Sequence, residues 1–379
     1  MTAERAVVVA ADMVTPYGRG TEALWRGLGS GKSAIGAVTR FGTVQFPAST
    51  AGIIPGLRYH EGESLVIQML RPMLQDARSI VPRDAKLILA TTKGEIDLLE
   101  QSVLTGQGSP DASRLDRLLR SIASLAGVED EGVVISAACA SSSAAAAHAA
   151  AMIREGQTDC AVIIACDAVT EFVYSGFASL MALDPHLARP FDRDRMGLSV
   201  GEAAAYALIM SAERARREGR AALGAITGWG LSDDANHMTG PSRTSEGLLL
   251  AIRKALRSAG VDADDIGCIS AHGTGTVYND AMEMRAFRTV FAEAPLPVYS
   301  VKGGIGHTMG AAGLIEIITA LRTLRERAVP PTVNLVHPDA DALGWASGSS
   351  QTLDARGAAL VTNAGFSGIN TAVVVQAGP

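Results

Sequence analysis

Short runs rich in Val, Ile and Ala, apolar on both faces, alternate along this chain with stretches of helical period. That alternation restricts the fold more than any other feature. Strands are expected at Ala6–Ala10, Leu87–Ala90, Val133–Ser136, Ala161–Ala165, Ala204–Met210, Ile266–Ala271, Val298–Val301, Ala358–Thr362 and Ala372–Gln376. Helical patterns fall between them, at Glu22–Leu28, Ser141–Glu155, Glu246–Ala259, Ala281–Phe291 and Ala311–Arg327. A strand without a polar face must be covered on both sides, and intervening helices supply that cover, so the chain reads as an α/β fold. The Arg- and Glu-rich stretch Arg214–Arg220 is the best midpoint boundary, and no internal repeat is evident. Residues 40–125 fit the pattern poorly. Gln45–Leu57 has Pro and Gly at loop density, and Gly94–Asp116 is polar with a weak helical period, as functional loops of compact domains often are.

At 379 residues the chain has the length of two or three domain-sized units, and its 47% hydrophobic content provides for large cores. The net charge of −6 gives no general attraction to nucleic acid. No apolar run approaches the roughly 18 residues needed to span a bilayer. The sequence enters its first strand without a charged leader, so a soluble cytoplasmic protein is expected. Four cysteines without CxxC or zinc spacing make a metal centre and a disulfide framework equally unexpected.

Cys139 lies between the Val133–Ile135 run and a long Ala- and Ser-rich helix. A sulfur at a strand–helix junction faces unpaired N–H groups and the positive end of the helix dipole, which favour a thiolate nucleophile. The plainer reading is a small, inert core cysteine. Two histidines sit in matching settings: His272 opens Gly273-Thr-Gly-Thr276 after one strand, and His307 follows Lys302-Gly-Gly-Ile-Gly306 after another. Open α/β sheets place their binding crevices at such strand ends. Either histidine alone could be structural; the pair together with Cys139 points to catalysis. Gly29-Ser-Gly-Lys32-Ser33 is not a phosphate loop, because Arg26 stands where that motif needs glycine and a helix precedes it. The basic helix around Arg214–Arg220 reads most simply as a solvated face, with docking of an acidic carrier as a weaker option.

Along nearly its whole length the sequence resembles the β-ketoacyl-[acyl carrier protein] synthases of the elongating Cys-His-His type, within the thiolase-like superfamily. The resemblance rests on Val14-Thr-Pro-Tyr-Gly18 with Trp25, Leu28, Gly31 and Arg40-Phe41, then Ala138-Cys139-Ala-Ser-Ser. It continues through Arg189-Pro-Phe-Asp192, Arg195, Gly197 and Gly201-Glu202, and through His237-Met-Thr239-Gly-Pro241. His272-Gly-Thr-Gly-Thr276 with Asn279, Asp280 and Glu283, and Lys302 with Gly306-His307-Thr-Met-Gly-Ala-Ala-Gly313, complete the set. The C-terminal signature departs: Ala364 replaces a phenylalanine and Ser367 a glycine, while the gating position keeps Phe366. The chain is also shorter than typical members, within residues 40–125.

The resemblance implies a thiolase-like fold of two pseudo-symmetric α/β halves, residues 1–215 and 216–379, in five layers α-β-α-β-α. It implies a decarboxylative Claisen condensation between an acyl group on Cys139 and a malonyl-carrier protein, in fatty-acid or polyketide-type biosynthesis. His272 and His307 would stabilise the enolate, the backbone N–H groups of Cys139 and Phe366 would form the oxyanion hole, and Lys302 would pair with Glu283. Thr239, Thr274 and Thr276 would hold the phosphopantetheine arm, and Asn279, Asp280 and Asn370 would be structural. No cofactor beyond that carried arm and no metal is implied. The implied partners are an acyl carrier protein and a second subunit, identical or related. A catalytic subunit dependent on a chain-length-factor-like partner, and a non-decarboxylating acyltransferase, stay open as alternatives.

Overall fold

The computed structural model describes residues 4–106, 108–291 and 295–378. Ten strands carry the architecture: β1 (Ala6–Thr15), β2 (Lys86–Ala90), β3 (Val133–Ile135), β4 (Cys160–Asp167), β5 (Ala203–Ser211), β6 (Gly224–Asp233), β7 (Ile266–Ser270), β8 (Val298–Tyr299), β9 (Ala358–Ala364) and β10 (Ile369–Ala377). The helices are α1 (Thr21–Gly29), α2 (Leu65–Ala77), α3 (Ile96–Thr105), α4 (Leu115–Ala126), α5 (Ser141–Arg154), α6 (Glu171–Ser179), α7 (Ala212–Arg217), α8 (Glu246–Ala259), α9 (Val277–Phe291), α10 (Lys302–Ile305) and α11 (Ala312–Glu326). All nine expected strands and all five expected helices are present, with ends shifted by a few residues.

The strands run in the order β8-β7-β9-β10-β6-β1-β5-β4-β2-β3, and this path contains a repeat that the sequence does not display. The first five strands stand in the order β1-β5-β4-β2-β3 and the last five in the order β6-β10-β9-β7-β8, so each strand has a counterpart five positions later. Pairing repeats as well: β2 lies parallel to β3 and β4, as β7 does to β8 and β9, while β4–β5 and β9–β10 are antiparallel. A short antiparallel ladder, Ala6–Val8 against Gly224–Ile226, joins the halves into one continuous sheet.

Three apolar cores give the layering. The central one packs α5 and α11 against strands of both halves. A second lies between the first half's strands and α2 and α4, and a third between the second half's strands and α8 and α9. The result is the expected α-β-α-β-α order. Strand β6 went unrecognised because it carries three glycines, Gly224, Gly228 and Gly230. A Cβ at Gly230 would come within 2.0 Å of Ala251 O, and one at Gly228 within 2.3 Å of Ala255 O, so close packing on α8 dictates the residue type.

Within residues 40–125, which fit the pattern poorly, the expected strand β2 is joined by α2, α3 and α4, with α3 in the polar stretch Gly94–Asp116, while Gln45–Leu57 is largely irregular. The helix α2 runs through Pro72, a residue that ordinarily ends a helix. Arg214, expected on a solvated face, is buried and pairs with Asp84, Asp159 and Glu218 at 2.6–2.8 Å, tying α7 to the turns that lead into β2 and β4. No helix among the described residues is long and apolar enough to cross a membrane.

The helices α5 and α11 meet closely in the central layer. A Cβ at Gly313 would stand 2.1 Å from Ser143 Oγ and 2.8 Å from Asn363 Oδ1. Gly313→Ala is therefore expected to lower stability by about 1–3 kcal/mol, as overpacking does, despite alanine's better helix propensity. Urea denaturation with an unchanged m value is the check; a stabilised variant would mean the crossing has slack.

Candidate active site

The ends of β3, β7, β8 and β9 open on one cavity of about 430 Å³. Cys139, His272, His307 and Phe366 line it, with Thr239, Thr274 and Thr276. Beyond β3 the chain turns through Ala138, a non-glycine residue held at φ 47°, and Cys139 sits in that turn two residues before α5. The Ser141 hydroxyl closes the turn, donating to Ala138 O at 2.6 Å and accepting from Ala137 N at 2.9 Å.

The loop after β7 hangs on two carboxylates of α9. Glu283 accepts the N–H groups of His272 and Gly273 at 2.8 and 2.7 Å, and Asp280 those of Thr274 and Gly275 at 3.0 and 3.2 Å. Gly275 stands at φ 83°, and a Cβ on it would press on Gly197 O at 2.8 Å. His307 is anchored by its own N–H to Ser199 O at 2.7 Å, and its Nδ1 accepts from Met309 N at 3.3 Å. The two imidazoles meet edge to face, 5.1 Å between centroids, and a ring nitrogen of each lies within 4.8 Å of the other and of Cys139 Sγ.

The expected Lys302–Glu283 pair is not what the fold makes. Lys302 Nζ instead pairs with Glu316 on α11 and donates to His272 O at 2.5 Å, while Glu283 faces backbone donors, Asn279 and Thr362. Glu316 carried a signal in the sequence: it is the lone charge in the apolar run Leu314–Leu321. Asn279, Asp280 and Asn370 all serve as local braces, Asn370 binding Asp234 at 2.8 Å. Phe177 went unsuspected; its ring packs 5.9 Å from that of Phe366 and 6.4 Å from that of His307. Ser367, where a glycine was expected, adopts φ 71° and donates its N–H to Met238 O at 2.6 Å.

Burial governs the charges. It pushes the Cys139 thiol up to about 11, against the opposing pull of the Lys302 ammonium and the Phe366 N–H. A thiolate favoured by the helix N-terminus is therefore not the resting state. Burial likewise drives both imidazoles well below their usual range, and Lys302 adds to that effect, so both are neutral at pH 7. Glu283 rises to about 7, chiefly through burial. A thiol beside two imidazoles is a donor set for a soft metal. The Met309 N–H occupies the Nδ1 lone pair of His307, however, so its Nε2 carries the proton and cannot ligate a cation.

Two outcomes follow. Glu316→Gln leaves the Lys302 charge buried without a counterion and is expected to cost about 3–5 kcal/mol in denaturant unfolding. Glu283→Gln, which meets only neutral donors, is expected to cost about 1–3 kcal/mol; the reverse order would restore the Lys302–Glu283 pairing. Second, alkylation of Cys139 by iodoacetamide is expected to go on rising about tenfold per pH unit through pH 9, beyond the plateau of an ordinary thiol near 8.5. A plateau near pH 7 would show a helix-stabilised thiolate.

The sequence matches the "Beta-ketoacyl synthase, N-terminal domain" over residues 121–215 and the "Beta-ketoacyl synthase, C-terminal domain" over residues 223–336. It is 28% identical to a 3-oxoacyl-[acyl-carrier-protein] synthase 2 of Vibrio cholerae, over 99% of this chain and 100% of that one. It is 30% identical to the protein of the same description from Rhizobium meliloti, over 89% and 90%. A solved structure of the ishigamide ketosynthase/chain length factor superimposes with a TM-score of 0.87 at 29% identity, covering 99% of this chain and 100% of that one. With the cavity built from the same strand ends in which the family's motifs lie, these matches make the chain a member of the β-ketoacyl synthase family.

Proposed function

We propose that this acyltransferase extends an acyl group by two carbons through decarboxylative Claisen condensation, with Cys139 as the nucleophile. The observation that carries the reading is the convergence of one thiol and two neutral imidazoles, all buried, on a single cavity open to solvent. In the first step Cys139 Sγ bonds to the carbonyl carbon of an acyl thioester, and the carrier thiol leaves with the proton of the cysteine. The N–H of Phe366 already points at Sγ and, with that of Cys139, can receive the developing oxyanion. In the second step the C–C bond to the malonyl carboxylate breaks, CO2 departs and the electron pair stays as a thioester enolate. Neutral imidazoles suit this step as hydrogen-bond donors to the enolate oxygen. The enolate carbon then bonds to the acyl carbon, Cys139 leaves as a thiolate and takes a proton from the medium, and the β-ketoacyl chain stays on its carrier.

The Thr274 and Thr276 hydroxyls, 2.9 Å apart, and Thr239 at the cavity rim would hold the amides of a phosphopantetheine arm. An acyl carrier protein is the partner this arm requires. A second subunit, identical or related, is part of the reading: β3 ends the sheet with no strand beyond it among the described residues, and Val133 on it is exposed. The structure of the ishigamide ketosynthase/chain length factor supports the related-subunit form. Four buried, unpaired cysteines accord with a reducing, cytoplasmic setting.

Intact mass after incubation with a panel of acyl carrier proteins tests the reading. One acyl adduct is expected on the wild type and none on Cys139→Ala. His272→Ala and His307→Ala should still acylate while losing roughly 10²–10³-fold in malonyl decarboxylation, the loss that follows removal of one oxyanion donor. An enzyme with no adduct, alone or with a related subunit, would sink it.

A further inference from the structure

His307 owes its donor tautomer to a backbone N–H, but among the described residues no backbone group does the same for His272. Among the described residues its Nδ1 has one hydrogen-bonding neighbour, Asn363 Nδ2 at 3.4 Å, and which of the two donates turns on how the amide of Asn363 is oriented. That orientation is assigned by the amide's other partners. Asn363 Nδ2 lies 2.6 Å from Glu316 Oε2, and the Lys302 ammonium pairs with Glu316, countering the burial that pushes its carboxyl group up. A carboxylate only accepts, so the NH2 group must face it. The amide oxygen then faces the Ser143 hydroxyl on α5, which donates to it. With one amide hydrogen on Glu316, the second is directed at His272 Nδ1. All five side chains, His272, Asn363, Glu316, Lys302 and Ser143, are buried.

We propose that Asn363 is a positioning residue that sets the tautomer of His272. By donating to Nδ1 it confines the imidazole proton to Nε2, the nitrogen left for the cavity. The chain of orientation runs from the Lys302–Glu316 pair through the Asn363 amide to His272, with Ser143 as its stop. It makes both histidines N–H donors toward the same point, as an enolate oxygen needs, without protonating either. The inference deepens the condensation reading and rests on it for the enolate, but not for the tautomer.

The test is 15N NMR of the histidine-labelled protein at neutral pH, with His272 assigned by its loss in His272→Ala. The wild type is expected to show a pyridine-like Nδ1 and a pyrrole-like Nε2 for His272. A wild-type Nδ1–H tautomer overturns the proposal outright, whatever any variant does. Asn363→Asp keeps the volume but presents an oxygen that can accept from Nδ1–H. It should exchange the two signals and lower malonyl decarboxylation roughly 10²–10³-fold, while acylation of Cys139 persists. Unexchanged signals, or exchanged signals with full decarboxylation, overturn it. Should Asn363→Asp fail to fold, Ser143→Ala releases the amide oxygen and is expected to populate both tautomers of His272; one unchanged tautomer there counts against the proposal. A wild type with the expected tautomer but no acyl adduct would instead defeat the condensation reading and leave the assignment of His272 standing.

Discussion

The buried Lys302–Glu316 pair is the constraint on which the rest of the site depends. Lys302 starts α10 directly after β8, Glu316 lies on α11, and the same ammonium takes the carbonyl of His272 beyond β7. Through Asn363 the carboxylate reaches β9 as well. Two charges in a dry interior gain from each other only when their remaining hydrogen-bonding capacity is also met. Here the groups that meet it are the very ones whose placement matters to the chemistry, so satisfying the ion pair and aligning the histidines become one requirement. A surface pair between the same elements would leave those strand ends free to shift.

Dryness also decides what the reacting groups are. The helix N-terminus beside Cys139 does not produce a standing thiolate, because the desolvation that comes with a cavity of buried groups outweighs it. The same desolvation keeps both imidazoles neutral. For an attack that releases a thiol and a decarboxylation that develops charge on oxygen, this is a coherent arrangement. In the proposed condensation the nucleophile would be formed as it reacts, and the donors meeting the oxyanion would carry no charge to over-stabilise the malonyl carboxylate. Burial that would look like a defect in a thiol protease is consistent with this sequence of steps.

Much of this was legible in the sequence, and the parts that were not share a physical cause. Strands such as Cys160–Asp167 announce themselves because both faces are buried, and Glu246–Ala259 because a helix lying on a sheet must be amphipathic. Cys139, His272 and His307 could be read because strand-end loops rich in glycine keep a local pattern. Strand β6 could not, since its glycines answer to a helix close in space rather than to its own neighbours in the chain. The helix α2 could not either, since tertiary burial of Leu65, Met69, Leu70 and Met73 overrides the penalty of Pro72. The partner of Lys302 was misassigned for the same reason: Glu283 and Glu316 are both carboxylates on helices that border the site, and only the fold tells them apart.

The topological repeat explains why the site lies where it does. In each half the third strand, an edge strand parallel to its neighbour, feeds the helix of the central layer: β3 leads to α5 and β8 leads through α10 to α11. Since α5 and α11 cross at Gly313, the loops that precede them are brought to the same place, Cys139 from one half and His307 from the other. The second strand of the second half adds His272 and the fourth adds Asn363 and Phe366. The corresponding loops of the first half do not supply reactive groups. At the end of β4, Asp167 takes the N–H groups of Thr92, Lys93 and Gly310, bracing the turn that follows His307. On the proposed reading one half would contribute the nucleophile and a brace, the other the donors, and the asymmetry of function would arise from loop residues on a symmetric set of strands.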